Sequence, residues 1–177
     1  MEITIQPYAE EFKTSCLNII RKVVIDGFIE SGVDIQKEPG HLERELINQE
    51  NRIHAIPKQY YVATQDTQVV GMIAYLDPSE PVQIVAKQLQ IPIDQIREII
   101  AVYVHPDFQR KGVGSELLTH MGNVLRDKKI PYFALSTGYL RGKNFWRKKL
   151  GNETQILQTY YEGHPCHVWI RNVDDIL

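Results

Sequence analysis

Cysteine is scarce in this sequence: Cys16 and Cys166 are the only two among 177 residues. Two are too few for the disulfide framework of a small secreted fold, so both are expected as reduced thiols with no chemical role. No apolar run approaches the roughly 20 residues that a membrane-spanning helix needs, and no membrane partner is expected. The start, Met1-Glu2-Ile3-Thr4-Ile5, has neither the basic stretch nor the apolar core of a secretory leader, so a cytoplasmic location is expected. An excess of positive charge is also missing. Lys and Arg number 20 against 22 Asp and Glu, a formal charge of −2, which argues against a nucleic-acid partner. Repeats, low-complexity stretches and linker-like segments are absent. What remains is 43% hydrophobic and 24% charged, enough for a sizeable core and a solvated surface, which excludes disorder as the main state. The length fits one domain spanning residues 1–177.

Hydrophobic periodicity gives the element order. Ile3 and Ile5 suit a short strand that stops at Pro7. Helical spacing of Phe12, Cys16, Ile19, Ile20, Val23 and Val24 predicts a helix from Ala9 to Glu30, followed by a loop over Val33 to Gly40 and a second helix over His41 to His54. Two strands, Gln59 to Thr64 and Gln68 to Leu76, flank a polar hairpin turn. A short helix over Val82 to Leu89 precedes a β-branched strand, Ile96 to Val104. Then come a helix over Gly112 to Lys128, a strand over Tyr132 to Thr137, a helix over Lys143 to Leu150, and strands over Thr154 to Tyr161 and Cys166 to Val173. Strands and helices in this order define a mixed α+β fold.

The chemistry-bearing stretch follows the β-branched strand: Val104-His105-Pro106-Asp107-Phe108-Gln109-Arg110-Lys111-Gly112-Val113-Gly114, opening an amphipathic helix. Gly112 and Gly114 allow close backbone approach. The first helical N–H groups lack intrahelical partners, and the helix dipole adds partial positive charge there. Arg110 and Lys111 put two full charges at the same end. This is a design for an anion, most naturally a phosphate or pyrophosphate. The P-loop spacing is not present, and the dinucleotide Gly-x-Gly-x-x-Gly fails because Leu117 stands at its third glycine.

At these residues the chain resembles the GNAT superfamily of acyl-CoA-dependent N-acetyltransferases, which carry Val-x-Pro and then Gln/Arg-x-x-Gly-x-Gly/Ala before a helix. The resemblance is strong from Glu98 to Thr137 and consistent in element order elsewhere. It implies a mixed, mostly antiparallel sheet flanked by helices, with the fourth and fifth strands splayed. It also implies acetyl-CoA as cosubstrate, its pyrophosphate held by amides from Gln109, Arg110, Lys111, Gly112, Val113, Gly114 and Ser115. The pantetheine arm would pair along Val102, Tyr103 and Val104, and Asn144 would contact the cofactor. The implied reaction is acetyl transfer to a primary amine of a small molecule or peptide, by direct attack in a ternary complex. A homodimer is compatible with the family. The alternative, in a different class, is a CoA-binding regulatory module with little catalysis.

Transfer to an amine needs a neutral nucleophile, donors for the oxyanion and help for the leaving thiolate. Glu98, eleven residues before Gln109, stands at the offset where some histone-modifying family members keep a catalytic glutamate. The competing reading is an edge-strand charge paired with Arg97 or another basic group. The oxyanion donor implied by the family is the backbone N–H of Tyr103 or Val104. The family's thiolate-protonating tyrosine has no counterpart here: the helix reads Lys143-Asn144-Phe145-Trp146-Arg147-Lys148-Lys149-Leu150-Gly151. Tyr139, after the fifth strand, is the substitute candidate, with Arg147 expected in solvent beside Lys148 and Lys149. Asn144 also reads as a helix cap. Tyr160, Tyr161, Glu162 and His164 border the last hairpin as candidate substrate-side groups. His164, Cys166 and His167 lack the spacing of a zinc site, and no metal is expected. His105 reads as structural.

Overall fold

Apolar residues at helical spacing build the two N-terminal helices, and alternating ones build the strands between them. The computed structural model describes residues 2–30, 39–138, 140–161 and 164–177. The strands are β1 (Thr4–Pro7), β2 (Tyr60–Gln65), β3 (Gln68–Leu76), β4 (Ile96–Val104), β5 (Tyr132–Thr137), β6 (Gln155–Tyr161) and β7 (His164–Asn172). The helices are α1 (Lys13–Glu30), α2 (Pro39–Ala55), α3 (Glu80–Gln88), α4 (Val113–Asp127) and α5 (Leu140–Leu150). Most of the expected loop over Val33 to Gly40, together with Tyr139 and Glu162, lies outside the described residues.

The seven strands form one sheet in the order β1-β2-β3-β4-β5-β7-β6. The β1–β2, β2–β3, β5–β7 and β6–β7 ladders are antiparallel, and β4–β5 is parallel. This is the mixed sheet anticipated from the sequence. The parallel ladder covers only Ile96↔Tyr132, Arg97↔Phe133 and Glu98↔Ala134, and β5 then runs on to Thr137 paired only with β7 among the described ladders. The β2–β3 hairpin turns at Asp66-Thr67, where Asp66 takes φ 54°, a conformation its short polar side chain tolerates.

Two compact units are defined by packing: Met1–Ala74 with Ala101–His120, and Tyr75–Ile100 with Met121–Leu177. In the first, α1 buries Cys16, Ile19 and Ile20, the hairpin buries Tyr60, Val62, Val70 and Met72, and α4 buries Val113 and Leu117. Gly71 on β3 permits the close approach of α4. A Cβ there would lie 3.1 Å from Leu117 Cδ1, Val113 Cγ1 and the Tyr103 carbonyl. In the second, Val82, Val85 and Ala86 of α3 pack on Ile96, Ala134, Cys166, Val168 and Ile170. Trp169 points to the other face of β7, fully buried, and donates its indole N–H to the Gly151 carbonyl at 3.0 Å.

Several boundaries shift by one to four residues from expectation, and two of the shifts have a clear physical reason. Helix α3 begins at Glu80 rather than Val82 because Pro81 fits the first turn, where no N–H is needed. Helix α5 begins at Leu140 rather than Lys143 and takes Gly142 into its first turn, where an added Cβ would sit 2.8 Å from Thr137 Oγ1. Glycine there serves close packing rather than breaking the helix.

Candidate active site

Strand β4 ends at Val104, and a 3-10 turn over Pro106–Phe108 leads into the Gln109–Gly112 loop. The turn is fixed from several sides. The His105 N–H donates to the Val70 carbonyl at 2.9 Å, and Lys22 Nζ lies 2.8 Å from His105 Nε2, so His105 has the structural place expected of it. Gln109 Nε2 donates to the Val104 carbonyl at 3.0 Å, tying the loop to the strand end. Lys111 Nζ sits 5.4 Å from the Phe108 ring centre, a cation–π contact.

Two consecutive turns of the loop require unusual backbone. Arg110 has φ 61° and Gly112 φ 94°. The first is uncommon for a residue with a side chain, and such strain is concentrated where backbone groups are held for a ligand. The Gln109 amide donates to the Pro106 carbonyl at 3.2 Å, and the Ser115 amide to the Gly112 carbonyl at 2.8 Å. Between them, the amides of Arg110, Lys111, Gly112, Val113 and Gly114 make no well-aligned backbone hydrogen bond outside the helix among the described residues. These amides stand at the positive end of a fifteen-residue helix, beside two exposed cationic side chains, an arrangement that could hold an anion.

Upstream, Ala101 takes φ 54° within β4. A left-handed residue inside a strand is uncommon for a residue with a side chain and holds local strain. Sequence reading passed over it. The available signal was composition: Ala101 is the one small residue in the run Ile99-Ile100-Ala101-Val102-Tyr103-Val104, and β-branched residues resist this conformation. From Ala101 to Val104 the strand is half-buried despite its apolar composition.

Glu98 lies in the second unit and is 2% exposed. Its Oε1 accepts the Ser136 hydroxyl at 2.6 Å, and its Oε2 accepts the Ser79 backbone N–H at 2.7 Å. The competing reading is overturned on both counts. Strand β4 is interior in the sheet, and Arg97 reaches Asp77 at 3.5 Å and the Ile96 carbonyl at 2.7 Å instead. Nearby, the Tyr160 hydroxyl donates to Glu80 Oε2 at 2.6 Å. That bond, with burial and the charges of Glu80, Cys166 and Glu98, pushes the phenol up to about 12. His164 is exposed.

Helix α5 corrects two expectations. Asn144 is its fifth residue, exposed in the helix interior, and is not a cap. Arg147 does not stand free in solvent. Its Nε donates to both carboxylate oxygens of Glu153, at 2.9 and 3.1 Å, and a terminal nitrogen adds a contact at 2.9 Å. His167 Nδ1 meets the same Glu153 Oε1. Trp146 is buried. Neither residue at the register of the family's tyrosine is a free proton donor. Both cysteines are fully buried, and burial pushes the Cys16 thiol up to about 12, which removes it as a nucleophile. Among the described residues no helix is long and apolar enough to cross a membrane, and no group of His, Cys, Asp and Glu could hold a metal ion.

A seven-stranded, mostly antiparallel sheet with one short parallel β4–β5 pair, flanked by helices, defines a mixed α+β fold. The model of the acetyltransferase (GNAT) family matches residues 28–152, and the chain belongs to that family, whose members use acetyl-CoA as cosubstrate. Solved structures agree on the fold. The PaiA N-acetyltransferase of Thermoplasma acidophilum, in complex with coenzyme A, is 14% identical, with 96% of this chain and 99% of that chain covered at a TM-score of 0.66. An N-acetyltransferase from Staphylococcus aureus is 14% identical over 98% and 99%, TM-score 0.65. A ribosomal-protein-alanine N-acetyltransferase from Brucella melitensis is 17% identical over 96% and 99%, TM-score 0.62. No curated protein matches the sequence.

Proposed function

We propose that the 177 residues act as one cytoplasmic N-acetyltransferase domain, moving an acetyl group from acetyl-CoA to a primary amine of a small molecule or peptide by direct attack in a ternary complex. The observation that carries this is the run of amides from Arg110 to Gly114, which make no well-aligned backbone hydrogen bond outside the helix among the described residues, with two cationic side chains beside them. A pyrophosphate supplies acceptors for these donors, which then form an anion cradle. Val102, Tyr103 and Val104 offer backbone groups to the pantetheine arm, and the Tyr103 or Val104 N–H serves the oxyanion. Glu98 takes the proton that the acceptor amine must lose before it can attack. Tyr139 donates to the departing thiolate. Burial of both cysteines supports direct attack over an acyl-enzyme.

A second reading, a CoA-binding module with little turnover, is favoured by one observation: α5 carries a buried Trp146 and a Glu153-bound Arg147 where an acid is expected. Thermal shift with acetyl-CoA, followed by thiol release on a panel of amino acids, peptides with free N-termini and polyamines, separates the two. Stabilisation with turnover supports the enzyme, and stabilisation without turnover supports the module. Absence of both overturns the two readings together.

A further inference from the structure

We propose that Ser136 is the proton relay between the acceptor amine and Glu98, a role that rests on the reading of Glu98 as base. Glu98 is 2% exposed, and each of its oxygens already receives a donor. A carboxylate so enclosed offers an ammonium group almost no surface. Of its two donors, the Ser79 N–H is a peptide proton that cannot be exchanged for catalysis. The Ser136 hydroxyl is both donor and acceptor and can accept one proton while giving up another. Ser136 is half-buried, less enclosed than Glu98. It sits on β5 two residues beyond Ala134, the last position at which β5 pairs with β4. At 2.6 Å, the Oγ–Oε1 distance is that of a short, charge-assisted hydrogen bond.

The step moves protons only. An N–H of the acceptor ammonium passes its proton to Ser136 Oγ, and the Oγ proton passes to Glu98 Oε1. One cation and one anion become a neutral amine and a neutral carboxyl, and serine is unchanged. Other polar groups near Glu98 include the buried Ser79 hydroxyl, which makes no hydrogen bond among the described residues, the Glu80 carboxylate from α3, the Tyr160 hydroxyl from β6 and the buried Cys166 thiol from β7. Tyr160 is engaged by Glu80, and its raised phenol makes it a poor base.

The test uses substitutions of equal size. Thr and Val both fit a strand, and they differ by the hydroxyl alone. With the panel amine that turns over fastest, Ser136→Thr is expected within a few-fold of the parent. Ser136→Val and Glu98→Gln are each expected to lower kcat by roughly 10²-fold, the scale of a lost general base. The double variant Glu98→Gln with Ser136→Val is expected to be no slower than either single, because the two groups act in one chain. Acetyl-CoA affinity, measured by calorimetry, stays unchanged throughout. Should Ser136→Val fail to fold, Ser136→Ala replaces it, with a loss of about tenfold or more expected where water fills the gap. If Glu98→Gln is impaired and the hydroxyl-free variants keep full kcat, the relay is wrong while the base stands. If Glu98→Gln keeps full kcat, the base reading falls and the relay with it.

Discussion

Gly71 lies outside every motif, yet it sets how closely the cradle helix can approach the sheet. Replacing it with alanine places a Cβ 3.1 Å from three atoms: Leu117 Cδ1, Val113 Cγ1 and the Tyr103 carbonyl oxygen. A normal carbon contact is about 3.5–4.0 Å, so each neighbour must retreat by several tenths of an ångström. Leu117 is fully buried, Val113 is 1% exposed, and the third atom is backbone, so none moves freely. Overpacking of this kind costs about 1–3 kcal/mol. At the middle of that range, a chain of this length loses roughly 4–8 °C in Tm. The strain falls on Val113, the first residue of α4, so acetyl-CoA affinity should also fall several-fold. Gly27 supplies the opposite sign. It lies in α1 with nothing within 4 Å of an added Cβ, and Gly27→Ala should stabilise by about 0.5–1 kcal/mol through helix propensity. Urea denaturation and calorimetry on both variants decide the matter. A Gly71→Ala protein as stable as the parent, with unchanged affinity, would refute the claim that this close approach positions the cradle.

The segment proposed to hold an anion stands out in the sequence because its parts are consecutive. Strand, turn, basic pair, glycine and helix period lie within one short segment, and each requirement is local. The strand limits of β3, β4 and β5 were legible for the same reason, since runs of β-branched residues bounded by turn signals need no distant partner. Glu98 was visible as a residue but not as an environment. Its partners, Ser79 and Ser136, stand 19 and 38 positions away and carry no periodic signal. The ion pair of Arg147 was hidden similarly. Arg147-Lys148-Lys149 reads as a solvated basic run, but Glu153 lies around the turn after α5, and only the fold brings His167 of β7 to the same carboxylate. Gly142, inside α5, admits the close approach of the Thr137 side chain.

The remaining predictions concern the cradle, the leaving group and acid stability. Gly112→Val should weaken acetyl-CoA binding in calorimetry and cost about 1–3 kcal/mol of stability, because φ 94° disfavours a β-branched residue although the nearest protein atom to a new Cβ is 3.9 Å away. Unchanged affinity in the folded variant would sink the cradle assignment. Arg147→Ala should keep most of its turnover, whereas Tyr139→Phe should lose several-fold. A collapse of kcat in Arg147→Ala with normal acetyl-CoA affinity would make Arg147 an electrostatic catalytic group instead. Arg147 should matter to acid stability rather than to rate. Burial pushes the Glu153 carboxyl up, but hydrogen bonds from Arg147, from its own backbone and from His167, with the Arg147 charge, outweigh it and hold the group below 4.5. The unfolded chain then binds this proton first as pH falls, so the stabilisation is fully present above about pH 4.5 and is lost as pH falls through the folded value. The guanidinium is 42% exposed, so solvent screening limits the expected gain to about 1 kcal/mol. Parent and Arg147→Ala proteins should therefore differ in urea-derived stability by that amount at pH 7, and the gap should close below pH 4.5. A gap that stays constant down to pH 3 would mean that Arg147 stabilises by packing its stem, not by holding the Glu153 charge.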